Sequence, residues 1–288
     1  MPSCDVILPV FNGEHTVLAA VYSILNQTHD DLRLIVMDDG SSDQSMSLLR
    51  GIDDARLVLI EHDRNVGLST RLNEAVQLAT APYVARMDAD DIAHPERIEK
   101  QIAVLESDKT LDLVGCSVVT MDQSGRLIGI RKYPCLHEEI LRRPYRSIPI
   151  AHPAWCGRKE WFKRNPYDAR NVRCEDQALL RRAKNDSRFC NLPDFLLAYR
   201  EASAVRPRAT LRSRWFNARH ISSIGASEGH PISSMIGAAG VLARWPLDVL
   251  SWVSGNPKMA GHRFQQLGEE DERTWRRIIE DVVEAGSR

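Results

Sequence analysis

Three aspartates, Asp88, Asp90 and Asp91, crowd into four residues directly after the apolar run Tyr83–Met87. If that run is a strand, its two-residue period puts Asp88 and Asp90 on one side, and the following turn brings Asp91 near them. Carboxylates this close repel one another and resist burial unless a cation or a proton offsets them. Asp91 also suits the cap of a helix opening at Pro95, but capping does not account for three acids at one strand end. The cluster points to a divalent ion, magnesium or manganese, whose shell is completed by phosphate oxygens of a substrate. Asp38-Asp39 ends another apolar run. An acid there can accept hydrogen bonds from a base or ribose, or with Gly40 it can make a turn and a cap. Glu175-Asp176 precedes a helical segment and admits a cap or a general base that deprotonates a hydroxyl. Pro9–Gly13 is a turn signal whose backbone groups can meet a base. No G-x-G-x-x-G segment and no G-x-x-x-x-G-K-[ST] loop is present, which argues against a dinucleotide site and a phosphate-cradling loop.

Such residues need a scaffold that gathers strand ends. Val6–Val10, Leu32–Met37, Arg56–Ile60 and Tyr83–Met87 read as strands without apolar–polar alternation, as expected when helices cover both faces. Between them, Thr16 is placed to cap a helix carrying Val17, Val21, Ile24 and Leu25, and Leu48 and Leu49 mark a second helix. Leu68, Leu72, Ala75, Val76 and Ala79 stripe a third, and Pro95 sits in the first turn of a fourth that buries Ile98, Ile102 and Leu105. The pattern predicts an α/β fold with an open, mostly parallel sheet flanked by helices, binding ligands outside the C-terminal strand ends. Further on, Leu113–Met121 and Leu127–Ile130 predict a hairpin, Glu138–Arg143 and Gln177–Lys184 helices, and Phe195–Tyr199 a strand. Residues 1–206 are expected to form the catalytic domain and 207–288 a mainly helical C-terminal extension, closed by an amphipathic helix with Trp275, Ile278, Ile279 and Val282. Trp215, Trp245 and Trp252 are expected in packing, with an acceptor or membrane-facing surface as the alternative.

Bulk properties narrow the classes. A hydrophobic fraction of 43% and a charged fraction of 27% describe an ordinary globular chain, and a net charge of -1 argues against a nucleic-acid partner held by phosphate neutralisation. Arg142-Arg143 with Arg146 reads as a solvated basic face, one that can also meet anionic lipid or phosphate. The most apolar stretch, Met235–Ala243, is too short to cross a bilayer and holds two glycines. Without a basic lead and an apolar segment at the N-terminus, the expectation is a cytoplasmic chain, with peripheral membrane attachment left open. Six scattered cysteines with no C-x-x-C pair predict free thiols.

In order along the chain, the motifs resemble the inverting glycosyltransferases of family 2, built on the GT-A fold. The resemblance runs through PVFNGE (Pro9–Glu14), SILNQT (Ser23–Thr28), LIVMDDGSSDQS (Leu34–Ser45), RNVGLSTRLNEAVQLA (Arg64–Ala79) and YVARMDADDIAHPERIEKQ (Tyr83–Gln101). It continues through HPAWCGRKE (His152–Glu160), Glu175-Asp176 and NLPDFLLAYR (Asn191–Arg200). It implies a nucleotide-sugar donor (a UDP- or dTDP-hexose), a glycan or lipid-linked saccharide acceptor, and Mn2+ or Mg2+. By the resemblance, Pro9, Phe11 and Glu14 line the nucleotide end, Asp38 lies beside the base with Asp39 as the alternative, and Arg71 approaches the donor. Asp88 and Asp90 form the family's D-x-D, touching ribose and metal-bound diphosphate. Asp176 is the catalytic base, and Glu175 and His152 border the acceptor or diphosphate side, with a structural histidine as the competing use of His152. The chain lacks the Q-x-x-R-W signature and the membrane spans of polymerising members, and has Leu179 and Leu180 where many relatives place an aromatic. Two other readings remain: a catalytically silent nucleotide-sugar-binding subunit, and a nucleotidyltransferase, for which Pro9–Thr16 offers no lysine or arginine.

Overall fold

The computed structural model describes residues 2–171, 173–201, 207–254 and 265–286. Strands β1 (Cys4–Val10), β2 (Leu32–Asp38), β3 (Leu57–Ile60) and β4 (Tyr83–Arg86) pair in parallel in the order β3-β2-β1-β4. Helices α1 (Val17–Leu25), α2 (Ser45–Leu49) and α3 (Leu68–Leu78) connect them. Successive side chains of β1 and β2 enter opposite layers. Val6, Leu8, Leu34 and Val36 pack with Val17, Val21 and Ile24, while Ile7, Ile35 and Met37 pack with Leu72, Ala75 and Val76. Both faces are buried, so neither strand has a polar side to alternate. Each fully buried aliphatic side chain contributes about 1.5–3 kcal/mol, which makes these strands the anchor of the layers. In register, Val10 lies opposite Asp38 and Ile7 opposite Arg86, so the loops after β1, β2 and β4 leave from one edge.

The expectation of a mostly parallel sheet holds only for this half. Past β5 (Ile92–Ala93) and α4 (Arg97–Ser107) come β6 (Leu113–Met121), hairpinned to β7 (Leu127–Arg131) as the sequence predicts. β8 (Cys156–Arg158) runs antiparallel to both β4 and β6, whereas β9 (Phe189–Arg200) is parallel to β6 and antiparallel to β5. The resulting nine-stranded sheet is mixed and curls toward a half-barrel. Three-residue β8 is too short to carry a periodic signal, which is why the reversal was hidden in the sequence. Two helix starts also differ from expectation. Thr16 occupies the cap position of α1 without a side-chain cap bond. Helix α4 begins at Arg97 rather than Pro95, and Gln27 Oε1 accepts the Ile98 amide at 2.9 Å.

Helix α5 (His137–Ile140) is shorter than predicted, while α6 (Lys159–Arg164) and α7 (Glu175–Ala183) close the second layer. Beyond residues 202–206, which lie outside the described residues along with the expected boundary after 206, the chain is helical: α8 (Pro207–Ser227), α9 (Pro231–Leu242), α10 (Trp245–Ser254) and α11 (Glu269–Ala285). Helix α11 lies against α1 and sinks Trp275 and Val282 among Ile92, Val119, Met121 and Ile130. Helices α8–α10 gather over the Arg142–Ser147 segment. Tyr145 Oη donates to Glu228 Oε2 at 2.6 Å, and Lys184 pairs with the same carboxylate. Buried Asp248 holds Arg214, with Nη2 to Oδ1 at 2.9 Å.

Glycine at 237 permits the closest contact of this docking. A Cβ there would lie 2.4 Å from the Tyr145 carbonyl oxygen, whereas at Gly240 it would meet nothing within 4 Å. Gly237→Ala is expected to destabilise by about 1–3 kcal/mol through overpacking, while Gly240→Ala, in the same helix, stabilises by about 0.5–1 kcal/mol. Thermal denaturation of the pair measures the difference, and equal shifts would contradict this packing.

Candidate active site

The loops after β1 and β2 are tied together by side chains. Ser41 Oγ accepts the Asn12 amide at 2.9 Å, Ser45 Oγ the Gly13 amide at 2.8 Å, and Asp43 Oδ2 the Glu14 amide at 2.9 Å. Glu14 Oε2 returns a bond by accepting the Gln44 amide at 2.9 Å. Of the three residues expected at the nucleotide end, Pro9 is buried in β1 and Glu14 is engaged in this clasp, while Phe11 presents half its surface at the rim. Gly40 has φ +77, and a Cβ there would sit 2.6 Å from the Arg64 backbone, so glycine lets the loop after β2 meet the loop after β3.

The adjacent aspartates divide their roles. Asp39 accepts the Val66 and Gly67 amides at 2.8 and 2.9 Å and Arg71 Nε at 2.8 Å, and is buried. Arg71 also donates to Glu74 at 2.9 Å and to the Arg64 carbonyl at 2.9 Å. The pair therefore fixes the loop 64–67 against β2, and Arg71 faces these protein acceptors. Asp38 is also buried, and its carboxylate accepts only the Ser41 amide, at 3.2 Å, among the described residues.

At the end of β4, Asp88, Asp90 and Asp91 bring carboxylate oxygens within 4.8 Å of one another. Asp91 does not cap a helix: it is buried, its Oδ1 accepts the Arg200 amide at 2.9 Å, and its Oδ2 has no partner. Burial and the charges of Asp88 and Asp90 raise its pKa well above the carboxylate range. Arg86, buried beneath the cluster, donates Nη1 to Asp88 Oδ2 at 3.0 Å and Nη2 to Oδ1. Asp90 is exposed, and its carboxylate accepts no hydrogen bond from the described residues. Loss of hydration within the rim, then the charge of Asp88, raises its pKa to about 6. Three hard oxygen donors, one open and one with an orphaned buried oxygen, fit a divalent cation.

The second half of the sheet supplies the opposite wall. Helix α7 starts two residues earlier than predicted, so Glu175 and Asp176 lie in its first turn, and neither makes a side-chain cap bond among the described residues. His152, in a single helical turn ahead of β8, shares a 2.8 Å hydrogen bond between Nε2 and Tyr167 Oη and stands edge-on to Trp155. Burial and Arg86 push its pKa well below the usual imidazole range, so His152 is neutral. Its 4.0 Å approach to Glu175 is then a polar contact rather than an ion pair. Burial, followed by the charge of Asp176, raises Glu175 to about 7. Arg86 lies within electrostatic reach of Asp88, Tyr167, Asp91 and Glu175, which joins the two walls. Asp176 faces a cleft of about 1790 Å³ between the sheet domain and helices α8–α10.

Arg86, Tyr167 and Arg200 were not singled out from the sequence. Arg86 lies inside the matched YVARMDADD segment, two residues before Asp88, and that spacing was the available signal. Tyr167 sits in a stretch without motif or periodicity.

Asp90 and Glu175 bind protons more tightly folded than unfolded. Their stabilising contributions are complete below the unfolded values and lost as pH rises through about 6 and about 7. Metal-free protein is expected to lose thermal stability across this window, and Glu175→Gln to flatten its upper part. Manganese competes with protons for Asp90, so it raises Tm more at about pH 7.5 than at about pH 5. Asp90→Ala removes that difference; a pH-independent Tm gain that survives Asp90→Ala would contradict the site.

Comparison with known proteins agrees with this arrangement. An uncharacterized glycosyltransferase of Methanocaldococcus jannaschii is 28% identical over 236 residues, covering 76% of this chain and 81% of the relative. The mannosyltransferase PcManGT of Pyrobaculum calidifontis, solved with GDP-Man and Mn2+, shares the fold at TM-score 0.60 and 20% identity, covering 99% of this chain and 86% of that one. S. aureus TarS 1-349, solved with UDP-GlcNAc, shares it at TM-score 0.58 and 18% identity, over 98% of this chain and 81% of that one. The sequence model of glycosyl transferase family 2 matches residues 5–165, more than half of the chain, with β2 and the Asp88–Asp91 cluster inside it. The chain belongs to glycosyl transferase family 2.

Proposed function

We propose that this glycosyltransferase moves a hexose from a nucleoside-diphosphate sugar, UDP- or dTDP-linked, to a hydroxyl of a glycan or lipid-linked acceptor, with inversion at the anomeric carbon and in cell-surface polysaccharide assembly. The observation that carries this reading is the acidic cluster at the end of β4, joined through Arg86 to Glu175, whose neighbour Asp176 lines a large cleft. Phe11 offers a face to the base, and Asp38, whose carboxylate has one amide partner, is better placed than saturated Asp39 to accept from it. Asp90, with Asp88 beside it, would hold Mn2+ or Mg2+. A bound cation supplies positive charge to the departing diphosphate.

Asp176 takes the proton of the acceptor hydroxyl as that oxygen attacks the anomeric carbon from the face opposite the leaving group. No covalent sugar–enzyme bond is needed, and a second protonating carboxylate is dispensable when charge, rather than a proton, stabilises the leaving diphosphate. Neutral His152 and Tyr167 hold the wall behind Glu175, and Arg86 keeps Asp88 in place. The catalytic domain at 1–206 supplies the donor chemistry, and helices α8–α10 of the 207–288 extension cover the cleft that Asp176 lines.

Purified protein with manganese is expected to release nucleoside diphosphate from one member of a nucleotide-sugar panel. Asp90→Ala and Asp176→Asn each lower that rate by about 10²–10⁴-fold. Binding without turnover would favour a silent nucleotide-sugar subunit, and a folded, metal-loaded protein that binds no donor would overturn the proposal.

A further inference from the structure

Exposed apolar side chains concentrate on the helical extension. Ile232, Met235 and Ile236 of α9 are 73%, 66% and 69% exposed, and Leu250, Trp252 and Val253 of α10 are outward as well. Trp215 and Trp252, expected in packing, are each 58% exposed. A surface that a monomer in water leaves this apolar marks a contact with something else.

The arginine segment lies beside it. Gly237 packs on the Tyr145 carbonyl, which sets Ile236 and Arg142, Arg143 and Arg146 around one cleft mouth. These three arginines and Arg173 are exposed and make no side-chain hydrogen bond or ion pair with the described residues. By contrast, Arg214 and Lys184 in the same cleft are matched by Asp248 and Glu228. The unmatched charges line the cleft together with Ile236 of the apolar face.

We infer that α9, α10 and the Arg142–Arg146 segment form an interfacial surface that seats the protein on an anionic bilayer. At 12 and 10 residues, α9 and α10 are too short to span and suit lying in the interface plane. Charge complementarity selects the occupant. A twofold contact with a second copy would bring two sets of unmatched arginines together, whereas anionic headgroups accept the arginines while the acyl boundary accepts Ile232 and Met235. The docking itself does not depend on the transferase reading. Its consequence does: the cleft that holds Asp176 then opens toward the membrane, so an acceptor linked to lipid reaches the base from that side.

The test is flotation of the full chain with vesicles of equal parts phosphatidylglycerol and phosphatidylcholine, against phosphatidylcholine alone. The protein is expected to float with the anionic vesicles, and salt weakens the association. Ile232→Glu/Met235→Glu and, separately, Arg142→Glu/Arg143→Glu lower it about tenfold. Release of nucleoside diphosphate in vesicle-free solution is unchanged by Ile232→Glu/Met235→Glu, which separates failure of docking from failure of the transfer reading. Absence of flotation, flotation indifferent to lipid charge, or a dimer in sedimentation that Ile232→Glu/Met235→Glu dissolves would overturn the inference.

Discussion

The arrangement depends on one buried guanidinium. Arg86 ends β4, grips Asp88, and lies within electrostatic reach of Asp91, Glu175 and Tyr167. Its neighbours on the backbone are equally constrained: its amide donates to the Trp155 carbonyl at 2.8 Å, and its carbonyl accepts Arg97 Nη2 at 2.6 Å. A buried cation without partners is costly, and so are clustered carboxylates without a counter-charge. Each offsets the other here. The acids of two distant chain segments can therefore converge on one edge of the sheet.

The rest of the site follows from that convergence. The parallel half of the sheet sends the loops after β1, β2 and β4 from one edge, and the Asp39–Arg71 pair stiffens the flank. The antiparallel half places His152, Tyr167 and α7 across from them. Burial, then the charge of Arg86, keeps His152 neutral, while burial and Asp176 keep Glu175 protonated into the neutral range. Helices α8–α10 then turn an open edge into a cleft. They dock through a glycine and a Tyr145–Glu228–Lys184 chain rather than through a large core, which leaves their apolar faces free.

What was legible in the sequence was the part with local signal. Val6–Val10 and Leu32–Met37 announce buried strands because both faces are covered, and Asp88, Asp90 and Glu175-Asp176 stand at element ends where chemistry gathers. What long-range pairing decides was not legible. Asp91 is held by the amide of Arg200, far along the chain, and so becomes a buried acid rather than a cap. Asp38 and Asp39 have the same side chain and adjacent positions, and the amides of residues 66 and 67 together with Arg71 separate them. The exposure of Trp215 and Trp252 likewise depends on which face of a helix meets the body of the protein.

The most direct test of single displacement with Asp176 as base is proton NMR of the sugar set free when water replaces the acceptor, recorded before mutarotation. The account predicts that the first anomer seen has the configuration opposite to that in the donor, and that Asp176→Asn suppresses its appearance. A first-formed anomer that retains the donor's configuration would contradict it.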